Sequence, residues 1–187
     1  MKILAVQSRM GIGDTVIFLP FIKALSKKFN SSISILVKEN SKANQYLHQT
    51  KYIDKILTLE RDNKTNNRHG GFFGIFKLAN DLKKYKFDKI FIFNSSLRFN
   101  LVAKISGIPQ IYQYPLFAKN KQHIIEAPKK FLKENLNLDI NEDPEVQIDN
   151  DSISKAAQKF QIDKNTTNIL LGIGGSGPTK EFLRKLS

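Results

Sequence analysis

The sequence predicts an α/β fold, a parallel sheet with helices on both faces. Short, wholly apolar runs recur along the chain, the mark of strands buried on both sides. Between them lie stretches with apolar residues at helical spacing, so strand and helix alternate. A loop with two glycines follows the first apolar run directly. In a sheet of this kind, that is where ligands are met.

The first strand is Ile3-Leu4-Ala5-Val6, and a loop over residues 7–13 feeds a helix over 14–29. Ile33-Ser34-Ile35-Leu36-Val37 is rich in β-branched residues and reads as the second strand. A helix follows over 41–48, with Ser41 as its N-cap. Ile56-Leu57-Thr58-Leu59 makes the third strand. Residues 60–71 are polar, end in two glycines and lack any period, the pattern of a mobile surface loop. Helical spacing returns over 72–85, where Phe72, Ile75, Phe76, Ala79 and Leu82 share one face. The fourth strand spans 88–93, and a helix over 97–106 ends at Gly107, a residue suited to the left-handed turn after a helix. A short strand over 110–112 and a helix over 124–136 complete the first 138 residues as one domain. Right-handed crossovers join such strands, and ligands bind beyond their carboxyl ends. The loops to search are 7–14, 94–98 and a late glycine loop.

The tail reads differently. Residues 139–167 look like a linker: acidic over 139–151, with Pro144, and a short helix over 152–160. Residues 168–187 begin a fresh strand, Asn168-Ile169-Leu170-Leu171-Gly172-Ile173, and run into Gly174-Gly175-Ser176-Gly177-Pro178-Thr179-Lys180. One strand and the start of a helix cannot bury a core. They read as the opening of a second, truncated domain.

Composition narrows the chemistry. At 187 residues, 41 % apolar and 25 % charged, the chain has a globular make-up, not that of a disordered or collagen-like one. Without cysteine there are no disulfides, no thiolate-held metal and no thiol nucleophile. His48, His69 and His123 are scattered without metal-ligand spacing, and neither a metal nor a cofactor is expected. The net charge of +13 suits an anionic partner, although heavy use of lysine gives the same sum without one. The longest apolar stretch near the start, residues 16–22, stops at Lys23, far short of the ~20 residues a bilayer span needs. With no signal-peptide pattern either, a cytoplasmic protein is expected.

Two loops carry candidate chemistry. In Gly11-Ile12-Gly13-Asp14, the glycines allow a tight turn and a close approach of ligand to backbone. The dinucleotide fingerprint is broken, because Val16 stands where its third glycine belongs and Asp14 would repel a pyrophosphate. Asp14 is either a helix N-cap, stabilised there by about 0.3–1 kcal/mol, or a general base at the mouth of the sheet. The loop over 172–180 is not a P-loop, since Thr179 precedes Lys180 and Pro178 follows Gly177. It still gathers backbone amides, Ser176, Thr179 and Lys180 at a helix start, a set that suits diphosphate oxygens or makes an ordinary turn. Arg98 begins the helix after the fourth strand and reads equally as a contact for an acceptor's phosphate or carboxylate and as a surface arginine. His123 and Glu126, one helical turn apart, read as a solvated pair.

Taken together, these segments resemble the family-9 glycosyltransferases, the ADP-heptose:lipopolysaccharide heptosyltransferases. The matching residues are Lys2-Ile3-Leu4, Gly11-Ile12-Gly13-Asp14 with Pro20 and Ala24-Leu25, Phe87-Asp88, Ser95-Ser96-Leu97-Arg98, His123 with Glu126, and residues 174–180. The resemblance implies the amino-terminal half of a GT-B fold, a Rossmann-like acceptor-side domain followed by the start of the donor-binding domain. It implies transfer of heptose or a related sugar from an ADP-sugar to an anionic, lipopolysaccharide-type lipid, with inversion and without a metal. Asp14 would be the base. Thr179 and Lys180 would meet the donor's phosphates, and the reading of the loops adds Gly11, Gly13, Arg98 and Ser176 as candidate substrate-binding residues. A basic surface suits peripheral contact with the inner membrane. Glu181 and Phe182 depart from the Arg and Trp usual after the lysine, and Ser8 stands where an arginine is common.

A second reading is a non-catalytic, basic Rossmann-like module that docks on an anionic lipid or a nucleic acid. Charge alone supports it. The aromatic–basic interleaving and helix–turn–helix pattern of nucleic-acid binders are missing, so no nucleic-acid partner is expected. A nucleotide-dependent oxidoreductase is disfavoured by the broken fingerprint.

Overall fold

The computed structural model of the chain describes residues 1–8, 11–61, 67–116, 123–163 and 165–169. Five strands form one sheet: β1 Ile3–Val6, β2 Ile33–Lys38, β3 Ile53–Leu59, β4 Lys89–Ile92 and β5 Gln110–Gln113. Their order is β3-β2-β1-β4-β5, and every pairing is parallel. The central strand β1 is buried along its whole length, which is why its sequence is a continuous apolar run. Ile3 lies opposite Ile33 of β2 on one side and Lys89 of β4 on the other.

The helices are α1 Ile12–Ile17, α2 Leu19–Phe29, α3 Ala43–Tyr46, α4 Phe73–Lys83, α5 Leu97–Ile105, α6 Glu126–Leu136 and α7 Asn150–Lys159. Alternation along β1 divides the core in two. Ile3 and Ala5 face a layer built on α2 and α6, with Phe21, Leu25, Phe91, Phe93, Phe131 and Leu132 buried together. Leu4 and Val6 face the other layer, where α4 and α5 supply Leu78, Leu82, Phe99 and Val102. The α/β fold expected from the alternation is the fold observed.

Several elements differ in detail. The helix expected over 14–29 starts at Ile12 and breaks at Phe18, because Pro20 has no N–H to give to the carbonyl of Val16. The helix expected over 41–48 is a 3-10 turn, Glu39–Ser41, followed by the four-residue α3. Ser41 is not its N-cap: Lys42, in the left-handed region at φ 53°, holds that place, and the Ser41 hydroxyl donates to the Lys38 carbonyl at 2.6 Å. Strand β3 begins at Ile53, three residues early, because it is an edge strand whose exposed Asp54 and Lys55 hide it from an apolar pattern.

The chain divides into two compact units, Met1–Gln147 and Ile148–Ser187. Residues 139–147, expected as linker, pack on the first unit. Ile140 is buried in the α2–α6 layer, Leu138 and Val146 pack against it, and Glu142 and Glu145 pair with Lys23 of α2 at 3.3 and 3.4 Å. In the second unit, α7 starts two residues before the expected 152 because the Asp149 carboxylate caps it, accepting the Ser152 N–H at 2.7 Å. Residues 170–187, which hold most of the expected strand and the late glycine loop, lie outside the described residues.

Candidate functional site

The sheet changes direction between β1 and β4, since the chain builds β1, β2 and β3 outward and then crosses back to β4 and β5. In open parallel sheets the crevice beyond this switch point is where ligands bind. The loops after β1 and after β4 flank it. These are the first two loops that the sequence nominated.

Gly11 holds φ 108° and ψ 161° at the head of α1, a conformation that a side chain would strain. That turn makes Gly11 the N-cap and puts Asp14 in the first turn of α1, so the reading of Asp14 as the cap is corrected. Instead the half-buried Asp14 carboxylate folds back towards Gly11. Its Oδ2 lies 3.7 Å from where a Cβ on that residue would stand. Around Gly13, the residue before Asp14, a Cβ would meet nothing within 4 Å beyond its chain neighbours. Thr15, buried, fixes the turn through its hydroxyl, which donates to the Gly11 carbonyl at 3.1 Å.

Three side chains that the sequence reading passed over tie down the loops after β1 and β4. Gln7, only 4 % exposed, donates its Nε2–H to the Asp14 carbonyl at 3.2 Å, while its own N–H extends the sheet to the Leu36 carbonyl at 3.0 Å. Across the switch point, Asn94 donates its side-chain amide to the Ser8 hydroxyl at 2.5 Å and accepts the Ser96 N–H at 2.7 Å. Gln113, at the end of β5, donates to the carbonyls of Asn94 and Ser96 at 3.0 and 2.9 Å. Polar residues directly after apolar strands are the signal that could have found Gln7, Asn94 and Gln113.

Arg98 sits in the first turn of α5, whose N-cap Ser96 accepts the Arg98 N–H at 3.3 Å. Its guanidinium turns to protein rather than to the crevice, donating to the carbonyls of Gly71 (2.7 Å) and His69. The turn it grips is tightly built. His69, 4 % exposed, accepts the Glu60 N–H at Nδ1 (3.1 Å), which places its proton on Nε2, facing Asp81 Oδ2 at 3.2 Å. Burial pushes the Asp81 carboxyl up, but hydrogen bonds from His69 and Lys84 and the Arg68 charge outweigh it and hold it below its usual range. Gly74 permits the close approach, since a Cβ there would stand 2.3 Å from the His69 carbonyl carbon. The described ends of the stretch 60–71 are therefore pinned, and residues 62–66 lie outside the described residues.

Asp14 and the glycines thus share one turn, the loop after β4 is tied to the same segment through Ser8, and Arg98 faces a structural turn. Ser176, Thr179 and Lys180 lie outside the described residues. His123 is an exposed helix-start residue, its Nδ1 accepting the N–H groups of Ile125 and Glu126 at 3.3 and 3.4 Å. A cleft of about 380 Å³ opens at the carboxyl ends of β2 and β3, lined by Lys38, Lys42, Asn44, Thr58 and Glu60 among others, but not by Asp14. Among the described residues no helix is long and apolar enough to cross a membrane.

No protein-family sequence model and no curated protein sequence matches the chain. Solved structures do. A glycosyl transferase family 9 protein from Veillonella parvula superposes with a TM-score of 0.72 at 17 % identity, over 95 % of this chain and 55 % of that one. The E. coli ADP-heptose lps heptosyltransferase II gives 0.58 at 15 % identity, over 88 % and 52 %. An E. coli heptosyltransferase solved with ADP-2-deoxy-2-fluoro heptose gives 0.50 at 11 % identity, over 76 % and 50 %. The chain therefore has the Rossmann-like α/β fold of these glycosyltransferases, and it spans about half their length.

Proposed function

We propose that the chain forms the acceptor side of an inverting glycosyltransferase. In this reading heptose, or a related sugar, moves from an ADP-sugar to an anionic lipid of the lipopolysaccharide type. The enzyme would work in the cytoplasm, at the inner membrane face. The observation that carries the reading is the place of Asp14: half-buried in the first turn after the central strand, beside the switch point, with open space around Gly13. Support also comes from the fold, shared with proteins described as ADP-heptose transferases. The donor half of the reaction is assigned to Ser176, Thr179 and Lys180 together with whatever completes the donor domain.

Asp14 takes the proton of the acceptor hydroxyl as that oxygen bonds to the anomeric carbon. On the opposite face of the sugar, the bond from carbon to the diphosphate oxygen breaks and its electron pair leaves with ADP. Attack from behind inverts the centre. Lys180 and the hydroxyls of Ser176 and Thr179 balance the charge that grows on the leaving diphosphate. Gly11 and Gly13 keep the approach to the carboxylate clear. Arg98, committed to the carbonyls of His69 and Gly71, serves the acceptor side by holding that turn in place.

Asp14→Asn in the complete enzyme tests the assignment. Transfer from ADP-heptose to a lipid A-type acceptor is expected to fall by about 10²–10⁴-fold, the usual cost of losing a general base. Because Gly11 is the N-cap, thermal stability should change by less than about 1 kcal/mol, the helix-dipole contribution of one acid. Near-full transfer by Asp14→Asn would place the base elsewhere.

A further inference from the structure

The start of α4 exposes three large aromatic residues side by side. Phe72, Phe73 and Phe76 are 69, 77 and 48 % exposed, and their rings stack edge to face, 6.0 Å from Phe72 to Phe73 and 5.6 Å from Phe72 to Phe76. Helix α5, which packs against α4, exposes apolar residues as well. Leu97, Leu101 and Ile105 fall on one exposed stripe at helical spacing, and Arg98 grips the Gly71 carbonyl, so Phe72 stands beside the start of α5. Both helix starts lie at the carboxyl end of the sheet, the end that carries Asp14.

Exposed apolar groups this large and this contiguous mark an interaction surface. Charge says what meets it. Residues 67–105 carry eight Lys and Arg against two Asp. The one acid on α4 or α5 is Asp81, already engaged by Arg68, His69 and Lys84. Lys77 and Lys104 lie exposed among the apolar residues, and among the described residues neither pairs with an acid. Phenylalanines to enter the acyl boundary, with Lys77 and Lys104 on the same two helices to meet phosphates, make the pattern of a protein that sits on an anionic bilayer.

We propose that Phe72, Phe73 and Phe76, with the apolar stripe of α5 and the flanking Lys77 and Lys104, dock the protein on anionic lipid bilayers. The inference rests on the proposed function in one respect, since it identifies where a lipid-borne acceptor would be presented to Asp14. Ile75 and Leu78 anchor the inner face of α4 in the core, and the start of the helix, which bears the three exposed rings, is held by the turn at His69–Gly74. Its histidine, its arginine clamp and its close glycine contact all fix the backbone that bears them.

Cosedimentation with vesicles tests this without any sugar chemistry. The chain is expected to bind vesicles containing one-third phosphatidylglycerol and to bind pure phosphatidylcholine much less. Phe72→Ser/Phe73→Ser should lower the partition coefficient about tenfold or more while leaving the circular dichroism melt in place, because both side chains are exposed. Lys77→Glu/Lys104→Glu should lower it at least about fivefold per site and blunt its salt dependence. Equal binding by the phenylalanine variant would overturn the proposal. So would light scattering that finds a dimer which the same variant dissociates, since the patch would then meet a second copy. Vesicle binding without sugar transfer would leave this surface standing and remove the proposed reaction. Transfer to a water-soluble acceptor without vesicle binding would do the reverse.

Discussion

On one side of the sheet, α2 and α6 close over Phe21, Phe91, Phe93 and Phe131, and residues 138–147 add Leu138, Ile140 and Val146 to the same cluster. There Lys23 and Lys27 meet Glu142 and Glu145, and residues 139–147 hold four acids and no Lys or Arg. On the other side, α4 and α5 cover Leu78, Leu82 and Phe99 and then stop. Their outer faces keep exposed phenylalanine and leucine beside lysines, and among the described residues Lys77 and Lys104 pair with no acid. Both layers bury a core of the same kind, so the difference is not one of folding. A layer finished with its own aliphatic and charged partners is stabilised by them. The apolar and cationic groups exposed on the α4–α5 face are the ones proposed above to meet a bilayer.

The sharpest contrast is between two phenylalanines. Phe131 is 4 % exposed and packs edge-on against Phe93 and Tyr114, at 5.5 and 5.1 Å. Phe131→Ala is expected to cost about 3–5 kcal/mol in urea unfolding, the usual toll of emptying an aromatic site in a core. Phe73→Ala, on a residue 77 % exposed, should stay within about 0.5 kcal/mol. Similar losses for the two would mean that the α4 surface is structural, and the comparison would fail.

Legibility in the sequence followed burial. β1, buried on both faces, was located to the residue, because nothing but apolar side chains fits there. The edge strand β3 is legible only in part, because Asp54 and Lys55 near its start face water. Gly11-Ile12-Gly13-Asp14 announced a site at the end of β1, since tight turns demand glycine. Whether Asp14 caps α1 could not be read, because that depends on one backbone angle at Gly11. The His69 latch was out of reach: its partners Glu60, Asp81 and Arg98 are spread over nearly 40 residues and meet only in three dimensions. Helical spacing puts Phe72 and Phe76 on one face with Ile75, Ala79 and Leu82, yet only the last three are buried, since spacing cannot tell a core position from an exposed one.

The second contrast concerns the turn that carries the aromatic patch. His69→Ala removes the acceptor of the Glu60 N–H and the donor to Asp81 in a buried setting. A loss of about 1–3 kcal/mol is expected, as for other buried groups left without a partner. Vesicle binding should fall with it, although no residue of the patch has changed. The pH dependence has a definite sign. Because the Asp81 carboxyl is held below its usual value in the fold, its contribution is present above about pH 4 and lost as the pH drops through the lowered native value. Asp81→Asn should remove that acid-side dependence, and a variant that keeps it would place its source elsewhere.

The acidic segment on the opposite side gives the smallest effect and the finest test. Its carboxylates are exposed, so Glu142→Gln should cost no more than about 1 kcal/mol, less in high salt. The hydrogen bond from Lys27, with a weaker one from Lys23 and against a modest push from burial, holds the Glu142 carboxyl low, so what it adds is also lost on the acid side. A better reporter is Tyr52, whose hydroxyl donates to the Glu145 carbonyl at 3.4 Å. Burial first, and then the charges of Glu145 and Glu142, push it up to about 12. In Glu142→Gln/Glu145→Gln the tyrosinate absorbance of Tyr52 should appear at lower pH, yet still above the ordinary value of about 10, because burial remains. With its native value raised, the phenol supports the fold fully below about pH 10 and progressively less as the pH climbs towards its own titration. An unmoved Tyr52 titration would mean that these carboxylates do not face it in solution. The α2–α6 side would then lie as open as the other, and its difference from the α4–α5 side would rest on the aromatic patch alone.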